Sequence, residues 1–270
     1  MSKKIKLIVM DVDGTLVNNK KAMTPKTVEA LIRAQKAGIQ LVLASGRSTT
    51  GLGGYAKQLE MENYGGMLIS YNGSTVVDFK TGEVLFNEPM SPEEVQAVIA
   101  HVKKFDLTIM IDNEATLYVE NRDGYMVDYE SSSNNYILAQ IDDFTKDFPY
   151  GSNKVLTSGE PEYLKTIYED LKSPFEKTLT CMFTAPVYIE YTAQGIDKAK
   201  ALDFLLTHKG MSREDIIVFG DGHNDISMFE YAQTTVAMGN AVEELKAIAT
   251  SVTTSNEEDG IADALEIYLK

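Results

Sequence analysis

Cysteine is almost missing from this chain, with Cys181 the only one in 270 residues. A single thiol excludes an internal disulfide and agrees with a reducing cytoplasm. No stretch approaches the roughly eighteen uncharged apolar residues of a membrane span, so no spanning helix is expected. The start Met1-Ser2-Lys3-Lys4 resembles the basic end of a signal peptide, but Asp11 and Asp13 interrupt the apolar run too soon. Positive charge is also scarce: 25 Lys and Arg face 40 Asp and Glu, a net charge of −15, which disfavours nucleic acid and anionic membrane as partners. Internal repeats and low-complexity tracts are absent, and nothing points to an obligate protein partner. The expectation is a cytoplasmic protein.

A hydrophobic share of 44% is enough for a solid core. The length suggests a main domain and a smaller one. Charge is unevenly spread, since residues 83–193 hold 20 acidic and 8 basic residues, a net of −12 that leaves −3 for the rest. Either the middle of the chain is a separate unit, or it simply presents a solvated acidic surface.

The run Lys6–Met10 reads as a strand buried on both faces of a parallel sheet. It ends in Asp11-Val12-Asp13-Gly14-Thr15, two carboxylates one residue apart that must share a proton or face a cation or strong donors. That is the pattern of a metal-binding catalytic pair, or of a strand-to-loop turn. A calcium loop is excluded, because it needs glycine sixth and glutamate twelfth, where Gly14 is fourth and Ala22 twelfth.

Thr24-Pro25 starts a helix that Gly38 closes, and Ile39–Ala44 is a second buried strand ending in Ser45-Gly46-Arg47. This β-α-β unit opens a doubly wound sheet, whose ligands sit beyond the carboxyl ends of its strands. After a helical segment to about Gln58, a third strand at Met67–Tyr71 ends in Asn72-Gly73. The Asn-Gly pair predicts a hairpin, with 74–79 and 84–86 as an antiparallel extension. Helices near 91–104 and 160–172 and strands near 107–111, 116–120, 154–157, 178–183 and 187–191 follow, with a polar, tyrosine-rich stretch through about Pro149. This mixture suggests an inserted α+β domain. The α/β rhythm returns with a helix at 197–208 and a strand at 216–219 ending in Gly220-Asp221-Gly222-His223-Asn224-Asp225. A strand at 235–238 ends in Gly239-Asn240, and helices near 242–248 and 258–268 finish the chain. Four polar clusters at one edge of a sheet form a site.

These residues resemble the haloacid dehalogenase superfamily of phosphatases, in particular its Cof-type sugar-phosphate phosphatases. Asp11–Thr15 is similar to the first motif, Ser45-Gly46-Arg47 to the second, Lys198 after Gly195-Ile196-Asp197 to the third, and Gly220–Asp225 to the fourth. The resemblance spans the whole chain and implies a Rossmann-like core of residues 1–83 and 192–270, with an inserted α+β cap over 84–191 that sets substrate specificity. It implies Asp11 as nucleophile, forming an aspartyl phosphate, and Asp13 as the acid and base for leaving group and water. Mg²⁺ would be held by the Asp11 carboxylate, the Asp13 carbonyl and Asp221, with Asp225 supporting a ligand or coordinated water. Ser45, Lys198, Asn224 and the backbone N–H groups of Val12 and Gly46 would hold the phosphoryl oxygens, with Asn224 touching the phosphate or Lys198. The substrate implied is a small phosphorylated metabolite.

Each assignment has a plainer counterpart. Asp221 and Asp225 suit loop and cap positions, Lys198 suits a solvated helix start, and Asn72 and Asn240 suit turns. Cys181 reads as packed, His101 and His208 lie far from the motifs, and His223 is at a free motif position. Arg47 and Arg122 are either substrate contacts or structural residues. A receiver domain uses similar chemistry but is a shorter signalling module without an insertion. A phosphomutase and a non-catalytic sugar-phosphate-binding protein are the other readings; Asp13 favours an enzyme.

Overall fold

A computed structural model describes residues 5–269. The Met1–Lys4 start lies outside the described residues. In chain order come β1 (Leu7–Met10), α1 (Pro25–Lys36), β2 (Gln40–Ala44), α2 (Thr49–Gln58), β3 (Met67–Ser70), β4 (Thr75–Asp78) and β5 (Val84–Asn87). The insertion holds α3 (Pro92–Val102), β6 (Thr108–Asn113), β7 (Thr116–Val119), α4 (Val127–Ser133), β8 (Ile137–Gln140), α5 (Phe144–Asp147), β9 (Val155–Ser158), α6 (Pro161–Lys172), β10 (Leu179–Ala185) and β11 (Tyr188–Ala193). The chain returns with α7 (Lys198–Lys209), β12 (Ile216–Gly220), α8 (Ile226–Tyr231), β13 (Thr234–Ala237), α9 (Glu243–Ile248), β14 (Ser251–Val252) and α10 (Gly260–Tyr268).

The larger sheet has the order β14-β13-β12-β1-β2-β3-β4-β5. Its pairings from β14 to β3 are parallel, and β4 and β5 add an antiparallel edge. Side chains alternate across a strand, so Ile8 and Met10 join Leu31, Leu52 and Leu265 on one face, while Leu7 and Val9 join Leu202, Leu205 and Met228 on the other. Helices cover both faces, which is why β1 is apolar at every position. The chain crosses from β1 to β2 on one side and later enters β12 on the other. The gap between β1 and β12 is therefore the topological switch point, where ligands of such sheets bind.

Helix starts follow local chemistry. Thr24 caps α1 ahead of Pro25, and Ser91 and Glu94 form a reciprocal capping box on α3.

Two compact units result: the chain up to Asn87 together with that from Asp197 on, and Glu88–Ile196. These limits differ from the expected 83/84 and 191/192. Residues 84–87 stay with the first unit because β5 pairs with β4, and the last residues of β11 stay with the insertion because Ala193 pairs with Leu179. The insertion is α+β, a six-stranded sheet of order β10-β11-β9-β6-β7-β8. The stretch expected to be merely polar before Pro149 folds into α4, β8 and α5. It was opaque because α4 and β8 bury few of their side chains and so show little periodicity.

On the face of this sheet that carries α4, Lys154 is buried 3.7 Å from Glu130 and 3.8 Å from Glu190. Burial disfavours its ammonium, yet Glu130, Glu190 and Asp112 outweigh that and hold its pKa above the ordinary lysine value. We expect Lys154→Met to lower the unfolding free energy by about 3–5 kcal/mol, because buried carboxylates lose their cation. Removing the exposed Lys146, whose side chain is 78% accessible, should cost less than about 0.5 kcal/mol. Urea unfolding of both variants is the check, and equal midpoints would contradict the argument.

Among the described residues no helix is long and apolar enough to cross a membrane. Cys181 is free and buried, and burial pushes its thiol up to about 11, so it is inert packing.

Candidate active site

Polar residues begin where the parallel strands stop. Asp11 follows β1, Ser45 follows β2 and Asp221 follows β12, and β1 pairs with both of its neighbours. The ladder runs on for one step, as the Asp11 N–H donates to the Phe219 carbonyl at 3.1 Å. Gly14, at φ +92°, lets the first and last of these loops meet, since a Cβ there would lie 2.3 Å from Asp221 Oδ2. Beside it the Thr15 hydroxyl donates to Asp221 Oδ1 at 2.6 Å, and Asn240 Nδ2 donates to the Gly14 carbonyl at 2.8 Å.

Lys198 is the first residue of α7, whose N-cap Asp197 accepts from the Lys200 N–H. Its side chain is fully buried, and Nζ donates to Asp11 Oδ1 at 2.6 Å and to Asp225 Oδ1 at 2.7 Å. The other Asp225 oxygen accepts from the N–H groups of Asp221 and Gly222 at 2.9 and 3.0 Å. Carboxylate oxygens of Asp11, Asp221 and Asp225 lie within 4.8 Å of one another. Three carboxylates thus compete for one buried ammonium. Burial, with Asp225 and Asp221 close by, pushes Asp11 up to about 8 against the pull of Lys198. Burial likewise lifts Asp221 to about 6, against the Thr15 hydroxyl. Lys198, which burial would lower, is held above its ordinary value because two carboxylates share it.

This excess of negative charge on oxygen donors fits a hard divalent cation. Asp11 and Asp221 are the better placed to hold one, since both Asp225 oxygens are already engaged. Asp225 is then the residue that orients Lys198 and the Asp221 loop.

Asp13 has a different environment. Arg47 donates to both of its oxygens, from Nε at 2.6 Å and Nη2 at 2.8 Å, and Lys21 Nζ adds a contact at 2.7 Å. Burial would raise Asp13, but these cations hold it below the usual carboxylate range. Arg47 is therefore a partner of Asp13. Lys21 has no motif to reveal it, because only the turn from Asn18 to Ala22 brings it back to Asp13.

Ser45 is buried, and its Oγ accepts from the Arg47 N–H at 3.2 Å. Of the two contacts expected of Asn224, with the phosphate or with Lys198, the one with Lys198 does not form. Asp11 and Asp225 take up the ammonium, and Asn224 Nδ2 donates to Asn72 Oδ1 at 3.1 Å instead. Arg122 and His101 serve the insertion itself, the one donating to the Leu138 carbonyl at 3.1 Å and the other lying 3.0 Å from the Asp170 carbonyl.

Charge buried this densely at a switch point weakens a fold and is kept for chemistry, so sheet and site together define an α/β enzyme. The chain belongs to the haloacid dehalogenase-like hydrolases, the family whose model matches residues 8–265. It is 28% identical to a pyridoxal phosphate phosphatase of Escherichia coli over 98% of each chain. It is 27% identical to a 5-amino-6-(5-phospho-D-ribitylamino)uracil phosphatase of Bacillus subtilis over 99% of each. A solved haloacid dehalogenase-like hydrolase from Bacteroides thetaiotaomicron superposes with a TM-score of 0.94 at 37% identity, covering 98% of this chain and 99% of that one. The protein is thus a hydrolase of this family.

Proposed function

We propose that the protein is a cytoplasmic, Mg²⁺-dependent phosphatase that hydrolyses small phosphorylated metabolites, sugar phosphates among them, through an aspartyl phosphate on Asp11. The observation that carries this reading is the buried Asp11 carboxylate, paired with Lys198 at 2.6 Å and facing Asp221 and Asp225. Asp11 attacks phosphorus, splitting one displacement into two. Lys198, the Ser45 hydroxyl, Asn224 and the N–H groups of Val12 and Gly46 hold the phosphoryl oxygens as charge shifts onto them. Asp13, which takes up a proton when Arg47 and Lys21 release it, passes that proton to the leaving alkoxide and then takes one from the attacking water. The carboxylates of Asp11 and Asp221 and the carbonyl of Asp13 would hold Mg²⁺, which would supply charge neutralisation for an anion attacking an anion.

The two relatives named above act on different esters, so the class of substrate is a phosphomonoester of a small metabolite rather than one sugar. The insertion is the proposed source of discrimination. Substitutions in it should change the ester preferred more than activity on a small phosphate ester.

A panel of phosphorylated sugars, nucleotides and pyridoxal phosphate, assayed for phosphate release, tests the proposal. Release is expected with Mg²⁺ and is expected to vanish in excess chelator. Full rates in chelator would remove the metal, silence on every ester would remove the phosphatase, and an isomerised sugar phosphate without free phosphate would reveal a mutase.

A further inference from the structure

Directly after β3 the backbone does something costly. Tyr71, Asn72 and Gly73 take φ values of 52°, 55° and 106°, three left-handed residues in succession, of which only the last is glycine. Non-glycine residues visit this region rarely, and a run of them persists only where its surroundings over-determine it. An Asn-Gly hairpin accounts for Asn72 and Gly73 but not for Tyr71, which is β-prone, bulky and buried.

The surroundings of the turn are the loops of the candidate site. The Tyr71 N–H donates to the Arg47 carbonyl and the Asn72 N–H to the Ser45 carbonyl, both at 2.9 Å. The Asn72 side chain lies over Gly46, where a Cβ would come within 3.0 Å of Nδ2, and its Oδ1 accepts from Asn224 at 3.1 Å. Gly73 meets the start of α7 so closely that a Cβ would stand 2.1 Å from the Asp197 carbonyl and 3.0 Å from the Lys198 nitrogen. One three-residue turn therefore touches the loops after β2 and β12 and the start of the helix that carries the buried lysine.

We propose that the Tyr71–Gly73 turn is a positioning element of the phosphoryl site. Asn72 locks Ser45 and Asn224 to each other, and Gly73 lets α7 approach far enough for Lys198 to reach Asp11. This rests on the phosphatase reading. The left-handed strain is the cost of joining, at one point, loops that are 26 to 179 residues apart in sequence.

Asn72→Gly is the informative variant, because glycine accepts the same backbone while losing the side chain. We expect its melting temperature to stay near wild type, while the KM for an ester and the inhibition constant of inorganic phosphate both rise on the order of tenfold. Gly73→Ala should act on kcat instead, since it displaces Lys198 from the reacting centre. Wild-type KM and phosphate inhibition in Asn72→Gly, or a lowered melting temperature with unchanged kinetics, would overturn the proposal. An unfolded Gly73→Ala protein would support the close approach, and the Asn72→Gly measurements would then decide the positioning role. A wild-type protein that neither hydrolyses esters nor binds phosphate overturns the phosphatase reading as well, which separates the two failures.

Discussion

Asp11→Asn should lose at least ~10³-fold in kcat, because the amide matches the carboxylate in size but cannot attack phosphorus. The fold should survive. Burial already pushes Asp11 up to about 8, so its charged form is a strain on the folded state, and a neutral side chain relieves it. Asp225 remains to pair with Lys198. Thermal unfolding of the variant is therefore expected at or above the wild-type temperature, while rapid-quench mass analysis shows a phosphorylated Asp11 peptide in wild type alone. Substantial turnover by the asparagine protein, or a phosphoryl group on another residue, would reassign the nucleophile.

Lys198 is the second position where one atom decides the outcome. As a solvated helix residue it could be removed for less than about 0.5 kcal/mol. The structure buries it completely between Asp11 and Asp225, so that alternative no longer applies. Lys198→Met should reduce kcat/KM by ~10²–10⁴, because Asp11 and an incoming phosphate would repel each other without the ammonium between them. It should also destabilise the protein by about 3–5 kcal/mol in the absence of added cation, since two buried carboxylates lose their partner. The two effects are separable. Divalent cation should restore much of the stability by binding the exposed excess of negative charge, yet leave turnover low. Lys198→Arg should remain strongly impaired as well, because a planar fork does not fit where a compact ammonium bridges carboxylates in a dry pocket. Near-normal kinetics for the arginine protein would take Lys198 out of the phosphoryl site.

The linear chain carried more of the core than of the insertion. Buried parallel strands are apolar at every position, and their ends are marked by an abrupt change to Asp, Ser and Gly, so β1, β2 and β12 and the loops after them could be located residue by residue. Asp11, Asp13, Ser45, Asp221 and Asp225 stand on the loops marked in this way, whereas Lys198 and Asn224 are singled out only by the resemblance to the family's motifs. In the insertion, by contrast, α4 and β8 bury few of their side chains and so show little periodicity. The buried Lys154 cluster was equally invisible, since Lys154, Glu130 and Glu190 converge only across separate strands and a helix.

By itself the sequence determined the class of fold and the identity of the chemical groups, because strand periodicity and motif order are local properties that survive in a string of letters. The pairing of those groups was decided by tertiary structure alone. Charge and hydrogen bonding act over a few ångströms in space and ignore separation along the chain. Nothing local says that Lys198 spans Asp11 and Asp225, that Lys21 joins Arg47 on Asp13, or that Asn224 turns from the lysine to Asn72. The protonation preferences of Asp11 and Asp221 likewise arise only once the sheet has brought these loops together and excluded water from them.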